Sequence, residues 1–247
     1  MARGTLSASL RRIGTPTELA RRYEGEESIA DQIASYKLQR SIEIEGAELI
    51  LTTNFPDVAV HPRQNYAETG SYSEISGMFA RDFPLEVNTR EGPRTIIAVS
   101  RSSFSFRPET GLAIYFGASS GADDFACALA DALLSDWNRF TPVLLSSDDL
   151  KKIRERARNI RYVGYRNNPD PNVRNMSYGG THVEQSSDVK RADRNAELHR
   201  IIIEILTSAG KRTLQIMGSG GILGYGTDPE QIEDVVDIIE GIAFSSD

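Results

Sequence analysis

Apolar positions along the chain fall into alternating helical and strand-like periods, with one long stretch showing neither. The first 14 residues lack any period and predict a flexible N-terminal arm. From Thr17 to Gln39, Leu19 and Tyr23, then Ile29, Ile33 and Tyr36, recur at three- and four-residue steps, predicting two helices parted at Gly25. RSIEIEGAELILTT alternates around Gly46 and reads as two short strands. Residues 54–93, rich in Pro, Gly, Ser and Tyr, give no strand order. Ile97 and Val99, then Phe104 and Phe106, alternate again; RPETG is turn chemistry and LAIYF a buried strand. Asp123 to Trp137 predicts a helix with Phe125, Ala126, Leu129, Ala130, Leu133 and Leu134 on one face.

The remainder continues in short units. PVLLSS reads as a strand, DDLKKIRERAR as a helix with acids first and bases last, and NIRYVGYR as a strand. Residues 167–189 predict a polar loop or hairpin. RADRNAELHRIIIEILTSAG predicts a helix closed by Gly210. In TLQIMGSGGILGYGTDPEQIEDVVDII, the glycines Gly218, Gly220 and Gly224 resemble a phosphate-binding turn. A dinucleotide fold, however, needs the helix to start at the glycines and a further parallel strand after it. Here the helix signal begins only at Asp228, with Pro229 at its first position and Gln231 at the third, and Ile222, Leu223 and Tyr225 suit a strand in between. The glycines therefore predict a hairpin turn.

The order strand, turn, strand, glycine, helix occurs twice, with Gly117 and Gly226 in equivalent places. A helix followed by a strand precedes each copy, in IADQIASYKLQRSIEIE and LKKIRERARNIRYVGY. The fold class expected is α+β, built of two related halves, each a mainly antiparallel sheet with helices packed on one face. The halves are expected at 15–140 and 141–247, after the arm at 1–14. VLLSSDDLKKIRERARNIRYVGYR and TLQIMGSGGILGYGTDPEQIEDVVDII together resemble one half of the TATA-box-binding protein fold, and GASSGADDFACALADAL is similar to its hairpin-to-helix junction. That resemblance implies two pseudo-repeats of a curved antiparallel sheet with helices on its back. Two departures stand against it: the family's Phe-bearing segment is not recognisable, and RADRNAELHRIIIEILTSAG inserts an extra helix. TATA recognition is therefore not implied with the fold.

Composition narrows the function classes. No run approaches the roughly 18 apolar residues of a membrane span, and the start MARGTLSASLRRIG has no apolar core of a secretory signal. Cys127 is the single cysteine, so no internal disulfide is possible and a cytoplasmic, soluble protein is expected. His61, His182 and His199 have no metal-ligand spacing. Glu43, Glu45 and Glu48 straddle a hairpin and read as a solvated acidic face. No GxSxG elbow occurs, and runs such as SRSSFS have no recognisable base partner. Neither a metal nor a cofactor is expected, and the balance leans away from an enzyme.

Charge supplies the functional lead. The net charge is −7, but residues 151–175 hold eight Lys or Arg against two acids, a local +6 that leaves −13 elsewhere. Lys152, Arg154, Arg158, Arg161, Arg166 and Arg174, interleaved with Tyr162 and Tyr165, have the composition of a surface that holds phosphates and stacks bases. Strand alternation divides Tyr162 and Tyr165 between opposite faces. The acids and bases of DDLKKIRERAR also suit helix capping and the macrodipole alone. The reading is of a non-enzymatic binding protein whose segment 151–178 contacts DNA, RNA or another phosphate-rich partner. A protein-interaction domain or homo-oligomer, joined through its basic and acidic parts, is the second reading. A small-molecule enzyme using Arg63, Tyr66, Tyr72 and Arg81 in region 54–93 is the third.

Overall fold

The computed structural model describes residues 5–14, 16–44, 46–64, 71–137, 139–167, 174–207, 210–225 and 229–243. In chain order the elements begin with β1 (Thr5–Ile13), α1 (Pro16–Arg22), α2 (Glu26–Ser35), β2 (Lys37–Ile44), β3 (Ala47–Asn54) and β4 (Ala59–Gln64). There follow β5 (Ser71–Thr89), β6 (Gly92–Arg107), β7 (Leu112–Phe116), α3 (Ser119–Leu134), β8 (Phe140–Pro142) and α4 (Ser147–Glu155). The chain closes with β9 (Asn159–Arg166), β10 (Met176–Gly179), α5 (Ser187–Asn195), β11 (Glu197–Thr207), β12 (Gly210–Met217), β13 (Gly221–Tyr225) and α6 (Pro229–Ala243).

Two compact units result. The N-proximal unit comprises Arg11–Gln64 and Ser71–Thr141; the C-terminal unit comprises Met1–Leu10, Asn65–Gly70 and Pro142–Asp247. The fold is thus a mixed one, with antiparallel strand pairing and helices in both units.

In the N-proximal unit the strands pair β2–β3–β5–β6–β7, with β4 also on β5. Gly46 takes φ 80° in the β2–β3 turn. Strand periodicity places Ile75, Phe79, Phe104, Phe106, Ala113 and Tyr115 in one core with α2 and α3. Five rings meet there: Phe55, Phe79, Phe104, Tyr115 and Phe125. The region that gave no strand order contains β4 and most of the β5–β6 ribbon. Its apolar residues are diluted by Ser, Glu and Arg because much of that ribbon has a solvated face.

In the C-terminal unit the order is β10–β9–β11–β12–β13, and Thr5–Ser9 of β1 pairs with β13. Helices α4, α5 and α6 pack on β11. The glycine question resolves here: β12 and β13 pair antiparallel, Leu214 opposite Gly224 and Ile216 opposite Ile222. Gly220 turns the chain with φ 76°, and a Cβ there would run into the carbonyl oxygen of Val143. The residue must be glycine for two reasons, neither of them phosphate binding.

Three expectations need correction. Of the 14 residues expected as a loose arm, 5–13 form strand β1, which buries Ala8, Leu10 and Ile13. Its small polar residues conceal a strand buried on both sides, where Ser9 and Arg11 are also covered. The helix expected across RADRNAELHRIIIEILTSAG ends at Asn195, and Glu197–Thr207 is strand β11. Ile201, Ile203 and Ile205 are buried at a period of two, and β-branched side chains favour the pleated surface over the helix. The strand expected at PVLLSS covers only Phe140–Pro142. Beyond it, Val143 donates to the carbonyl of Leu10 (3.1 Å) and Leu145 to that of Gly218 (2.9 Å) without forming a ladder. The polar stretch 167–189 holds β10 and the start of α5, and residues 168–173 lie outside those described.

Candidate anion-binding surface

Helix α4 begins at a capping box. Ser146 accepts from the Asp149 backbone N–H, and the Asp149 carboxylate accepts from the Ser146 N–H at 2.9 Å. Leu150 and Ile153 face the core, which turns Arg154 along the protein toward α5. There Arg154 forms a two-pronged pair with Asp193, Nη1 to Oδ1 at 2.9 Å and Nη2 to Oδ2 at 2.8 Å. Tyr165 of β9 donates to the same carboxylate at 2.6 Å. Burial, then the hydrogen bond to Asp193, push the Tyr165 phenol well above its ordinary pKa, so it stays protonated. Tyr165 is 0% exposed and cannot stack on a base.

Three other basic residues of 151–178, Lys151, Arg161 and Arg166, are also engaged. Arg161 reaches Glu204 with Nε at 3.1 Å and Nη2 at 2.9 Å. Asn159 (3.0 Å) and Lys211 (2.8 Å) share that carboxylate. The bond to Lys211, then those to Asn159 and Arg161, outweigh burial and pull Glu204 down to about 2. Arg166 pairs with Glu197 at 3.2 Å, an exposed contact worth at most about 1 kcal/mol. Tyr162 accepts from Arg200 at 2.6 Å and lies under the same guanidinium, 4.8 Å from the ring centre. The segment was expected to contact a phosphate-rich partner, with its tyrosines divided between opposite strand faces. The structure leaves Lys152, Arg156, Arg158 and Arg174 exposed and ties Arg154, Arg161 and Arg166 to carboxylates.

The Glu204 cluster predicts acid sensitivity. A carboxylate with a depressed folded pKa stabilises above its unfolded value, near 4.5, and that stability is lost as pH falls through about 2. Denaturation midpoints of wild type and Glu204→Gln, measured from neutral pH downward, are expected to differ at neutrality and converge across that window. A constant gap down to the acid limit would contradict this.

Sequence reasoning missed a second group of cations. Helix α5, SDVKRADRN, buries Val189 and Ala192 and exposes Lys190, Arg191 and Arg194. The Arg154–Asp193 pair ties this helix to α4, where Lys152 is exposed, as are Arg156 and Arg158 just beyond its end. Six exposed cations thus lie on the two helices this pair joins or just past the end of α4, against the exposed acids Asp148, Glu155 and Asp188 of the same stretches. The signal was present in the three- and four-residue spacing of Val189, Ala192 and Asp193. It was hidden because α5 was read as the start of a longer helix.

The remaining candidates lie apart. Arg81 pairs with Asp124, while the side chains of Arg63 and Tyr72, and all of Tyr66, lie outside the described residues. His61 is on β4 and His199 on β11, and His182 sits 3.3 Å from Glu184. Burial first, then Arg200 and Arg166, lower the His199 pKa. Among the described residues no group of three or more His, Cys, Asp or Glu converges as a metal site would require. No helix among them is long and apolar enough to cross a membrane. The chain matches no protein-family model and no curated protein.

Proposed function

We propose that this chain is a non-enzymatic binding protein that holds a nucleic acid by its phosphates on the α4–α5 face of the C-terminal unit. The observation that supports this most is the set of exposed cations Lys152, Arg156, Arg158, Lys190, Arg191 and Arg194 on, or just past, the two helices that the Arg154–Asp193 pair joins. Arginine and lysine on two tethered helices suit backbone phosphates, whose charge recurs along the polymer. Arg174 extends the same segment, whereas Arg154, Arg161 and Tyr165 shape the scaffold rather than touch the ligand. Tyr165 is buried and Tyr162 lies under the Arg200 guanidinium, so neither is placed for base stacking and the binding is expected to be insensitive to sequence. With a single cysteine and no internal disulfide to maintain, a cytoplasmic setting fits the chain.

Fluorescence anisotropy with labelled single- and double-stranded oligonucleotides tests this. Wild type is expected to bind in the micromolar range at low salt, on the order of 10⁻⁶ M. Reversing α5 with Lys190→Glu, Arg191→Glu and Arg194→Glu is expected to weaken binding at least about tenfold. Absence of binding by wild type would remove the proposal.

Kinship between the two units is a further part of this reading. It is supported by the shared order β6–β7–α3 and β12–β13–α6, the hairpin-to-helix end that resembles the TATA-box-binding protein fold. Their outer strands are ordered differently. The first strand after the leading helix, β2, is outermost in one unit, whereas β9 lies between β10 and β11 in the other.

A protein-interaction role is favoured by a separate feature. The β5–β6 ribbon continues beyond its pairing with β3 and β7, and Leu85, Ile96 and Val99 on it are 41%, 47% and 57% exposed. Light scattering over a range of protein concentration is expected to show self-association that Ile96→Asp reduces. A strictly monomeric wild type would argue against a homo-oligomer.

A further inference from the structure

The N-proximal unit contains a cleft that the nucleic-acid reading does not use. β3 pairs with β5 at Thr53 opposite Arg81 and Asn54 opposite Ala80. At the next position the Thr52 N–H turns to the Asp82 carboxylate (2.9 Å) instead of a strand carbonyl. The strands part from there, and the gap opens beneath α3 as a cleft of about 230 Å³. That volume is the share of roughly eight water molecules, small beside the usual ligand pocket.

Its lining is divided by chemistry. Leu38, Leu51 and Phe79 supply an apolar wall. Trp137 also lines it, 40% exposed, with the Arg40 guanidinium over its ring, 5.2 Å from the ring centre. The two arginines of the cleft differ in state. Arg81 is matched by Asp124, whereas among the described residues no carboxylate pairs with Arg40, whose guanidinium lies over the indole. Stacking on an aromatic ring leaves a guanidinium's in-plane fork available for a carboxylate. Tyr36 adds no negative charge at neutral pH. Burial, then its hydrogen bond to Asp131 (3.0 Å), push its phenol pKa up.

We propose that this cleft binds a small aromatic carboxylate, with its ring against Leu38, Leu51 and Phe79 and its carboxylate on the Arg40 fork. Asp124 is taken up by Arg81 and Asp82 accepts from the Thr52 N–H, which leaves the Arg40 guanidinium to meet one monoanion, and the small volume suits a single ring better than a nucleotide. The site lies outside the α4–α5 face, so its failure and the failure of nucleic-acid binding are distinguishable.

The sequence holds one tryptophan and one cysteine, and Trp137 and Cys127 both line the cleft. Each therefore reports on it without labelling. Phenylacetate is the probe, with 2-phenylethanol as the uncharged analogue and acetate as the ringless one. Phenylacetate is expected to change Trp137 emission saturably, with a Kd on the order of 1 mM or tighter, and to slow alkylation of Cys127 by iodoacetamide over the same range. Arg40→Gln is expected to weaken both effects at least about tenfold, and Arg40→Lys to fall between, because an ammonium keeps the charge without the fork. Arg40 is exposed on strand β2, so the substitution is expected to leave the unfolding midpoint unchanged. Three results would each overturn the proposal: no saturable effect on either residue, undiminished binding by Arg40→Gln, or equal binding of 2-phenylethanol.

Discussion

Truncating Phe125 to alanine is expected to destabilise the N-proximal unit by about 4 kcal/mol. Phe125 sits on α3, fully buried, with ring centres at 5.3 Å (Tyr115), 5.5 Å (Phe104), 5.7 Å (Phe79) and 6.2 Å (Phe55). These partners come from β7, β6, β5 and the segment after β3, so one side chain joins the helix to most of its sheet. Removing it costs the transfer free energy of a buried ring, the cavity left behind, two edge-to-face contacts with Phe55 and Phe79, and a stacked one with Tyr115. Four surrounding rings cannot collapse into the space without leaving their rotamers. Chemical denaturation compares this variant with Ile96→Ala on the exposed ribbon, for which a change within about 0.5 kcal/mol is expected. A loss below about 1 kcal/mol for Phe125→Ala would mean that α3 is not seated on the sheet as described.

Asp193→Ala is expected to cost about 3 kcal/mol in the C-terminal unit. Its carboxylate accepts from both Arg154 terminal nitrogens and from Tyr165. Arg154 is only 13% exposed, so removing Asp193 strands a largely buried guanidinium together with a buried phenol hydroxyl. Tyr165→Phe deletes the hydroxyl alone and is expected to cost about 1 kcal/mol. A double-mutant cycle between Arg154→Ala and Asp193→Ala should give a coupling of at least about 1 kcal/mol. Additive losses would show that the pair does not tie α5 to α4. Since that tie is what gathers the cations, Asp193→Ala is also expected to weaken oligonucleotide binding, although Asp193 is itself negative. A purely electrostatic view predicts the opposite sign.

Local pattern made much of this fold legible. The β2–β3 hairpin around Gly46, the buried strand LAIYF, the face of α3 and the β12–β13 hairpin all follow from periodicity and turn chemistry acting within a dozen residues. Two kinds of element escaped. β1 is buried through consecutive positions 8–11 and pairs with β13, distant in sequence, so Ser7, Ser9 and Arg11 gave no alternation to read. In AELHRIIIEIL a good helix-forming start runs into an isoleucine strand, and the sheet overrode the local preference. For the candidate surface, the basic run at 151–166 was visible, but its use was not. Asp193, Glu197 and Glu204 lie 31 to 43 residues from the arginines they hold, beyond what spacing along the chain reveals. The partner helix that supplies Lys190, Arg191 and Arg194 was hidden for the same reason.

The salt dependence of oligonucleotide affinity tests the central claim most directly. Between about 50 and about 200 mM salt, the slope of log affinity against log salt is expected near −4, and the Lys190, Arg191, Arg194 charge-reversal variant should be shallower by about 2 or more. A slope near zero, or one that the variant leaves unchanged, would contradict phosphate binding on the α4–α5 face.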